Sequence, residues 1–296
     1  MFKNARIYRI HTDWPETEDG LHSILSHESF QPCGSLAERS AGWESPGDVA
    51  AVGLARRVAG ADLLQLRVQS RLLPPAAINE ALAERVELFK SRAQREPSRK
   101  EKRELKEDTH AALLPKALLK SDRLRGLYLR GESLLAVDTS SDAQAELFLD
   151  KLRGAFGSLE ATPLTFKNPL GELLQQIFLG KGPTEFNLSR ECRMQDPGNG
   201  HASVSWMDMD LGDAQVRRHV QSGLAIERLG LHFDATLSCV LDRDAVVRKL
   251  KYLDQDAVDE VPEEEPLARL DADIAMLAGA LSALCRSLKK HQRGYQ

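Results

Sequence analysis

Apolar residues recur along the chain with two different periods, and the changes of period mark out its elements. Ala5 to Ile10 alternates weakly, and Leu63-Leu64-Gln65-Leu66-Arg67-Val68-Gln69 has the period of two expected of a half-buried strand. Between them Asp19 to His27 reads as a short helix, while Gly42-Trp43 and Ser45-Pro46-Gly47 read as loops. Pro74-Pro75 ends the strand. Ile78, Leu82, Val86 and Phe89 then fall three or four residues apart, on one stripe of a helix. Pro97 interrupts that stripe. Ser98-Arg99-Lys100-Glu101 is a capping box, in which the serine hydroxyl takes the N–H three residues on and the glutamate reaches back. It predicts a second helix from Ser98 to about Leu113, with Pro115 beyond, so the two helices form an excursion from a sheet.

Strands resume at Gly126 to Leu129 and Leu134 to Val137, turning at Gly131. Ser140-Ser141-Asp142 heads a helix reaching about Arg153, with Leu147, Phe148 and Leu152 on its apolar face and Gly154 and Gly157 closing it. Another helix covers Leu170 to Leu179. From Phe186 the strand pattern returns at Ala202 to Met207, Ala225 to Phe233 and Thr236 to Leu241, with a short helix at Asp213 to Gln221. Glu263-Glu264-Glu265-Pro266 opens the last helix, with anions at its positive end and proline in the first turn. There Leu267, Leu270, Ile274, Leu277, Leu281, Leu284 and Leu288 repeat at spacings of 3 and 4, a heptad stripe. Packing on its own sheet and self-association are both open readings of that stripe.

The fold class is α+β: antiparallel sheets with flanking helices and a helical, finger-like excursion. The expected division is a discontinuous central α+β domain of residues 1–73 and 126–165, a basic helical finger of residues 74–125, and a second α+β domain of residues 166–296. The 42% hydrophobic content suffices for a core and excludes disorder as the main state. Met276 to Cys285, the longest nearly apolar stretch, is about half of the roughly 20 residues a bilayer crossing needs, so no membrane association is expected. Charge within Met1 to Arg6 argues against a secretory signal. Cys33, Cys192, Cys239 and Cys285 form no CxxC pair, so they read as small buried groups in a reducing cytoplasm rather than as zinc ligands or disulfides.

Charge changes the picture more. The chain has 44 acidic and 40 basic residues, a net −4, yet the segment from Lys90 to Lys106 holds eight basic and three acidic residues, a local +5. On a helix from Ser98, residues Arg99, Lys102, Arg103, Lys106 and His110 share one face, while Leu105, Thr109 and Ala112 turn elsewhere. Lys100 adds to the segment, and Lys116, Lys120, Arg123 and Arg125 extend it. Local charge opposite to that of the chain suggests a polyanion site, and phosphate contacts of this kind bind nucleic acid without reading sequence. Arg217 with Arg218, Arg190 with Arg193, and Arg248-Lys249-Leu250-Lys251 are further basic clusters; strand alternation would send Lys249 and Lys251 to one face and Arg248 to the other. A solvated surface is the plain alternative for each.

Nucleotide-binding loops, HExxH and GxSxG are absent from the sequence. No catalytic residue, metal site or cofactor is expected. The one weak exception is Asp208-Met209-Asp210, whose two carboxylates could hold a divalent metal in a nuclease. Trp43, Trp206 and Tyr128 read as packing groups rather than base-stacking platforms.

Several of these segments also occur together in one known family. Phe2-Lys3-Asn4 with Tyr8-Arg9, Gly42-Trp43, the run Ser98 to Glu107, Leu113-Leu114-Pro115-Lys116-Ala117, Leu159 with Pro163-Leu164, and Arg248 to Asp254 follow in order. The sequence closely resembles the bacterial recombination-associated RdgC family over essentially its whole length. That resemblance implies a nucleoid-associated, cytoplasmic DNA-binding protein without catalytic activity. It implies a ring-shaped homodimer whose positively lined hole admits duplex DNA. It also implies binding to single and double strands with little sequence preference, and restraint of RecA-promoted recombination. Arg99, Lys100, Lys102, Arg103 and Lys106 match the family's charged helix, and Lys116 the basic position after its LLP. Two positions depart from the pattern: no tryptophan follows the first methionine, and Leu118 stands where an aromatic is expected. The rival readings are a metal-dependent nuclease using Asp208 and Asp210, and a protein-binding adaptor using the Leu267 to Leu288 stripe.

Overall fold

The computed structural model describes residues 2–47, 53–200, 202–253 and 265–296. Its elements begin with β1 (Arg6–Ile10), α1 (Glu18–Ser26), β2 (Arg39–Glu44), β3 (Ala55–Val58) and β4 (Ala61–Leu72). The helices α2 (Pro75–Ala93) and α3 (Arg99–Leu113) follow, with a single 3₁₀ turn at Leu114–Lys116. Next come β5 (Leu118–Leu129), β6 (Leu134–Val137), α4 (Asp142–Phe156), β7 (Ala161–Pro163) and α5 (Leu170–Phe178). The last third holds β8 (Phe186–Gln195), β9 (Ser203–Met207), α6 (Ala214–Gln221), β10 (Ala225–Phe233), β11 (Leu237–Asp242), β12 (Val247–Tyr252) and α7 (Pro266–His291). Helices beside antiparallel strands make this an α+β protein. The chain divides into two compact units.

Unit 1 is Met1–His27, Ser45–Gln65 and Leu124–Gln296. It contains two antiparallel sheets. In the first, β3, the start of β4, the end of β5, β6, β1 and β7 are hydrogen-bonded in that order, with Tyr8 opposite Leu135 and Arg9 opposite Thr162. The β3–β4 hairpin turns on Ala59 and Gly60, both with positive φ, as a two-residue turn matched to strand twist requires. In the second the order is β12-β11-β10-β8-β9. A bridge between Ala5 and Val247 joins the sheets, and one core serves both: Ile7, Leu127 and Ala136 belong to the same apolar cluster as Cys192, Leu229 and Leu231. Ile274, Leu277, Leu281, Leu284 and Leu288 of α7 lie in that cluster, with Leu270 packed at its margin. The heptad stripe is therefore consumed by the unit's own core. Of the acidic run before α7, Glu263 and Glu264 lie outside the described residues, as does Asp254; Glu265 is the N-cap but makes no side-chain cap bond.

Unit 2 is Glu28–Glu44 and Leu66–Arg123. Here β2, the rest of β4 and the start of β5 are neighbours in that order, and α2 packs antiparallel on α3. Leu82 of α2 is buried, as are Thr109 and Leu114. The cysteines follow the same division: Cys33 is buried in unit 2, and Cys192, Cys239 and Cys285 are buried in unit 1. Burial pushes each of the last three thiols up to about 12.

Five readings of the sequence are corrected. β4 is a strand but not a half-buried one, since Leu63, Leu64, Gln65, Leu66, Val68 and Gln69 are all buried, on both of its faces. Gly42-Trp43 is not a loop but part of β2, because the chain at Ser29-Phe30 runs beside it: Phe30 N–H donates to the Trp43 carbonyl at 2.8 Å. The glycine is needed there, since a Cβ would stand 2.5 Å from the Phe30 α-carbon. β5 begins at Leu118, well before Gly126; its first six residues are exposed and show no apolar alternation to read. On α4 the core face carries Ala145, Phe148, Leu149, Leu152 and Ala155, so Leu149 takes the place assigned to Leu147. In β12 the expected alternation fails, because Lys249 has φ of 51° at a register shift and Val247 and Leu250 are both buried.

A buried charge fastens the start of unit 1. Asp62, fully buried, accepts from Arg57 Nε at 2.5 Å and Nη2 at 2.9 Å, and from Trp14 Nε1 at 2.8 Å. Arg57 also donates to the carbonyls of Pro15 and Glu16, and Trp14 stacks on Tyr128 with centroids 3.9 Å apart. Removing the carboxylate would leave the Trp14 N–H and the partly buried guanidinium without the acceptor they share, an unpaired-donor penalty of about 1–3 kcal/mol, with Glu18 still near the arginine. Asp62→Ala should therefore lower the unfolding free energy by about 1–3 kcal/mol in urea titration. A loss below about 1 kcal/mol would show the pair to be solvated instead.

Candidate nucleic-acid interface

The α2–α3 hairpin of unit 2 carries the basic segment, and local chemistry sets its turn. Ser98 Oγ accepts from Glu101 N–H, and the Glu101 carboxylate accepts from Ser98 N–H at 2.8 Å, completing the capping box. Arg95 clamps the same carboxylate through two bonds of 2.8 and 2.6 Å, and its guanidinium lies over Phe89. α2 ends at Gln94 in the left-handed region, where its N–H donates to the Lys90 carbonyl. The Arg95 bond, then the Ser98 bonds, hold the Glu101 carboxyl well below the usual carboxylate range.

Two faces of α3 diverge from this start. Thr109 is buried and Leu105 half-buried on the packing side, whereas Ala112 is exposed. Arg99, Lys102, Arg103 and Lys106 are all exposed along the basic row. Arg103 sits 3.2 Å from Glu107, while Arg99, Lys102 and Lys106 have no carboxylate partner among the described residues. Lys100 is only 3.9 Å from Glu104, a contact worth little at the surface. Arg103, Lys106, Glu107 and His110 line a shallow groove of about 310 Å³ with Ile78 of α2. Glu38, in the loop before β2, stands 3.4 Å from His110. No sequence signal announces Ile78 or Glu38 as members of this face, because each is far from α3 in the chain.

The charge is not uniform over the hairpin. Acidic residues run through both helices, Glu80, Glu84 and Glu87 on α2 and Glu101, Glu104, Glu107 and Asp108 on α3. The surplus is concentrated where α2 ends and α3 begins, although Lys90 there is held by Glu87 at 3.0 Å and Glu96 at 2.9 Å.

Other basic candidates divide between the units. In unit 2, Lys116 is exposed and without a carboxylate partner among the described residues, Lys120 pairs with Asp122 at 2.9 Å, and Arg123 pairs with Glu44 at 2.7 Å. Unit 1 holds Arg217 and Arg218 on α6, half-buried and exposed respectively, and Lys249 and Lys251 on β12. Lys249 is bound to Glu191 at 2.6 Å, while Lys251 is exposed. Of the two carboxylates weighed for a metal, Asp208 accepts from Arg190 at 2.7 Å and Asp210 accepts from Gly212 N–H at 2.8 Å. Among the described residues no group of three or more potential ligands could hold a metal ion. No helix is long and apolar enough to cross a membrane among the described residues.

The capping carboxylate has a pH signature. Its folded value is depressed, so its stabilisation is complete above the unfolded value of about 4.3 and is lost only as pH falls through the depressed one. Glu101→Gln should therefore reduce hydrogen-exchange protection of α3 by the same amount at pH 7 and pH 5, with the gap to wild type closing only in stronger acid. Ser98→Ala should cost about 1 kcal/mol of the same protection. A Glu101 gap that closes between pH 7 and pH 5 would contradict the clamped geometry.

The whole chain was also compared with known proteins. The family model described as "Putative exonuclease, RdgC" matches residues 1–294. A recombination-associated protein RdgC from Pseudoalteromonas atlantica is 30% identical over 292 residues, covering 97% of this chain and 96% of that protein. Proteins of the same name from Shewanella sp. strain MR-4 and Shewanella oneidensis are each 31% identical over 290 residues, covering 97% of this chain and 95% of theirs. With end-to-end matches of this kind, the chain belongs to the RdgC family of recombination-associated proteins.

Proposed function

We propose that this chain is a non-catalytic DNA-binding protein that holds single and double strands without reading their sequence. In this reading two copies close into a ring around the duplex and restrain RecA-promoted recombination on the nucleoid, in the cytoplasm. The observation that carries the DNA part is the α3 row, in which Arg99, Lys102 and Lys106 project into solvent without carboxylate partners among the described residues. Such groups approach phosphates, release condensed counter-ions and leave base edges unread. Arginine adds a planar fork and lysine a mobile point charge, so the row can follow a backbone whose register varies. Membership of a recombination-associated family supports the recombination role. The ring and the effect on RecA rest on the family resemblance. No cofactor takes part in this scheme.

Burial of the α7 stripe in the core of unit 1 leaves the adaptor reading without its surface. The nuclease reading has one observation in its favour, the word exonuclease in the matched family's description. Incubating the pure protein with linear DNA and magnesium or manganese separates the two. Cleavage that disappears in Asp208→Asn/Asp210→Asn would replace the binding reading with an enzymatic one.

The binding reading itself is tested with Arg99→Gln/Lys102→Gln/Arg103→Gln/Lys106→Gln. If the four cations contact phosphate, the slope of log affinity against log salt should fall by about 3 to 4 for each subunit in contact. Affinity for unrelated duplexes should drop together. An affinity that ignores salt, or a loss confined to one sequence, would exclude the phosphate mechanism.

A further inference from the structure

A second set of cations gathers in unit 1, where Arg9 of β1, Lys167 of the β7–α5 loop and Lys289 of α7 meet the chain around Tyr295. We infer that Lys167 and Lys289, braced by Arg9 and Tyr295, form a separate phosphate-binding surface for the nucleic-acid backbone, an inference that rests on the DNA-binding reading above.

The geometry is specific. The Arg9 guanidinium carbon lies 5.4 Å from the centre of the Tyr295 ring, and Lys289 Nζ lies 4.9 Å from it. Lys167 N–H donates to the Gly294 carbonyl at 3.1 Å, and its Nζ is 3.9 Å from where a Cβ on Gly294 would stand. Arg9 Nη1 donates to the main-chain oxygen of Gln296 at 2.7 Å. Lys167 and Lys289 have no carboxylate partner among the described residues, whereas Arg9 is taken up by the Gln296 oxygen, which in this sequence is a carboxylate oxygen. The neighbouring carboxylates are engaged elsewhere: Glu132 lies 3.4 Å from Arg286 and Glu185 lies 2.8 Å from His291, both on α7.

Two cations against one aromatic ring are attracted by its quadrupole but not neutralised by it. Burial pushes the Tyr295 hydroxyl above its usual value, so the ring brings no negative charge of its own. Lys167 and Lys289, which no carboxylate among the described residues offsets, therefore leave a local positive potential in a unit with 25 basic and 32 acidic residues, a net of −7. An anion relieves that potential. Lys167 and Lys289 are solvent-exposed, offered on an open surface that suits a polymer's successive phosphates. Phe166 backs the ring at 5.6 Å between centroids, and β1 and α7 hold the flanking residues in place.

The test uses the full chain with Lys167→Gln/Lys289→Gln, both exposed positions, after thermal unfolding has shown that the fold is kept. Affinity for two unrelated duplexes and one single strand is measured across a salt series. Loss of two phosphate contacts per subunit should lower the salt slope by about 2 for each subunit in contact and weaken binding to all three about equally. If slope and affinity match wild type while the four-fold α3 variant is weakened, this surface is not used and the inference fails, leaving the α3 reading intact. If wild type binds no DNA at any salt, both readings fail. Titration with inorganic phosphate completes the design: phosphate binding lost in the variant, with the DNA slope unchanged, would assign the surface to a small anion and overturn the inference.

Discussion

The constraint on which unit 1 depends is that two sheets of different parentage must share one dry interior. Residues of both sheets lie in one buried apolar cluster, and α7 joins it through Ile274, Leu277, Leu281, Leu284 and Leu288. The Ala5–Val247 bridge then ties the sheets at backbone level. Because burial of α7 satisfies both sheets at once, the stripe that could have been an oligomerisation seam is a structural element. Regular heptad spacing says only that a helix has a narrow apolar face; what covers that face is a tertiary question.

Unit 2 solves a different problem, how to hold like charges close together on a thin support. Its 15 basic and 12 acidic residues give +3, and much of that excess lies near one end of a helical hairpin. Repulsion within the row is tolerated because the helix start is fixed by three reciprocal interactions, the two capping-box bonds and the Arg95 clamp. Glu101 spends its charge on the scaffold rather than on the neighbouring lysines. That division of labour leaves the outward cations available.

Much of this is legible in the sequence where the signal is local. The capping box at Ser98 and the proline that separates α2 from α3 each depend on residues within a few positions of one another, and the structure bears out both; β4 is a strand as read, but it is buried on both faces rather than alternating. The α3 row follows from helical spacing alone. What cannot be read depends on contacts between distant segments. Gly42 looks like a turn residue until the chain at Phe30 is seen to pass against it. The first half of β5 lacks alternation because its six residues are all exposed, so hydrogen bonding, not burial, makes it a strand. Lys249 is displaced by a bulge that strict alternation does not allow for. Arg9, Lys167 and Lys289 are scattered over almost the whole chain, and only the fold makes them neighbours.

The four cysteines offer a practical consequence. All are enclosed, and the three in unit 1 are held as unreactive thiols, so alkylating reagents should find no target in the native molecule. Reagent uptake therefore becomes an intrinsic clock for opening. Because Cys33 sits in one unit and its three counterparts in the other, peptide mapping of the labelled sites would time the exposure of each unit separately, with no engineered reporter.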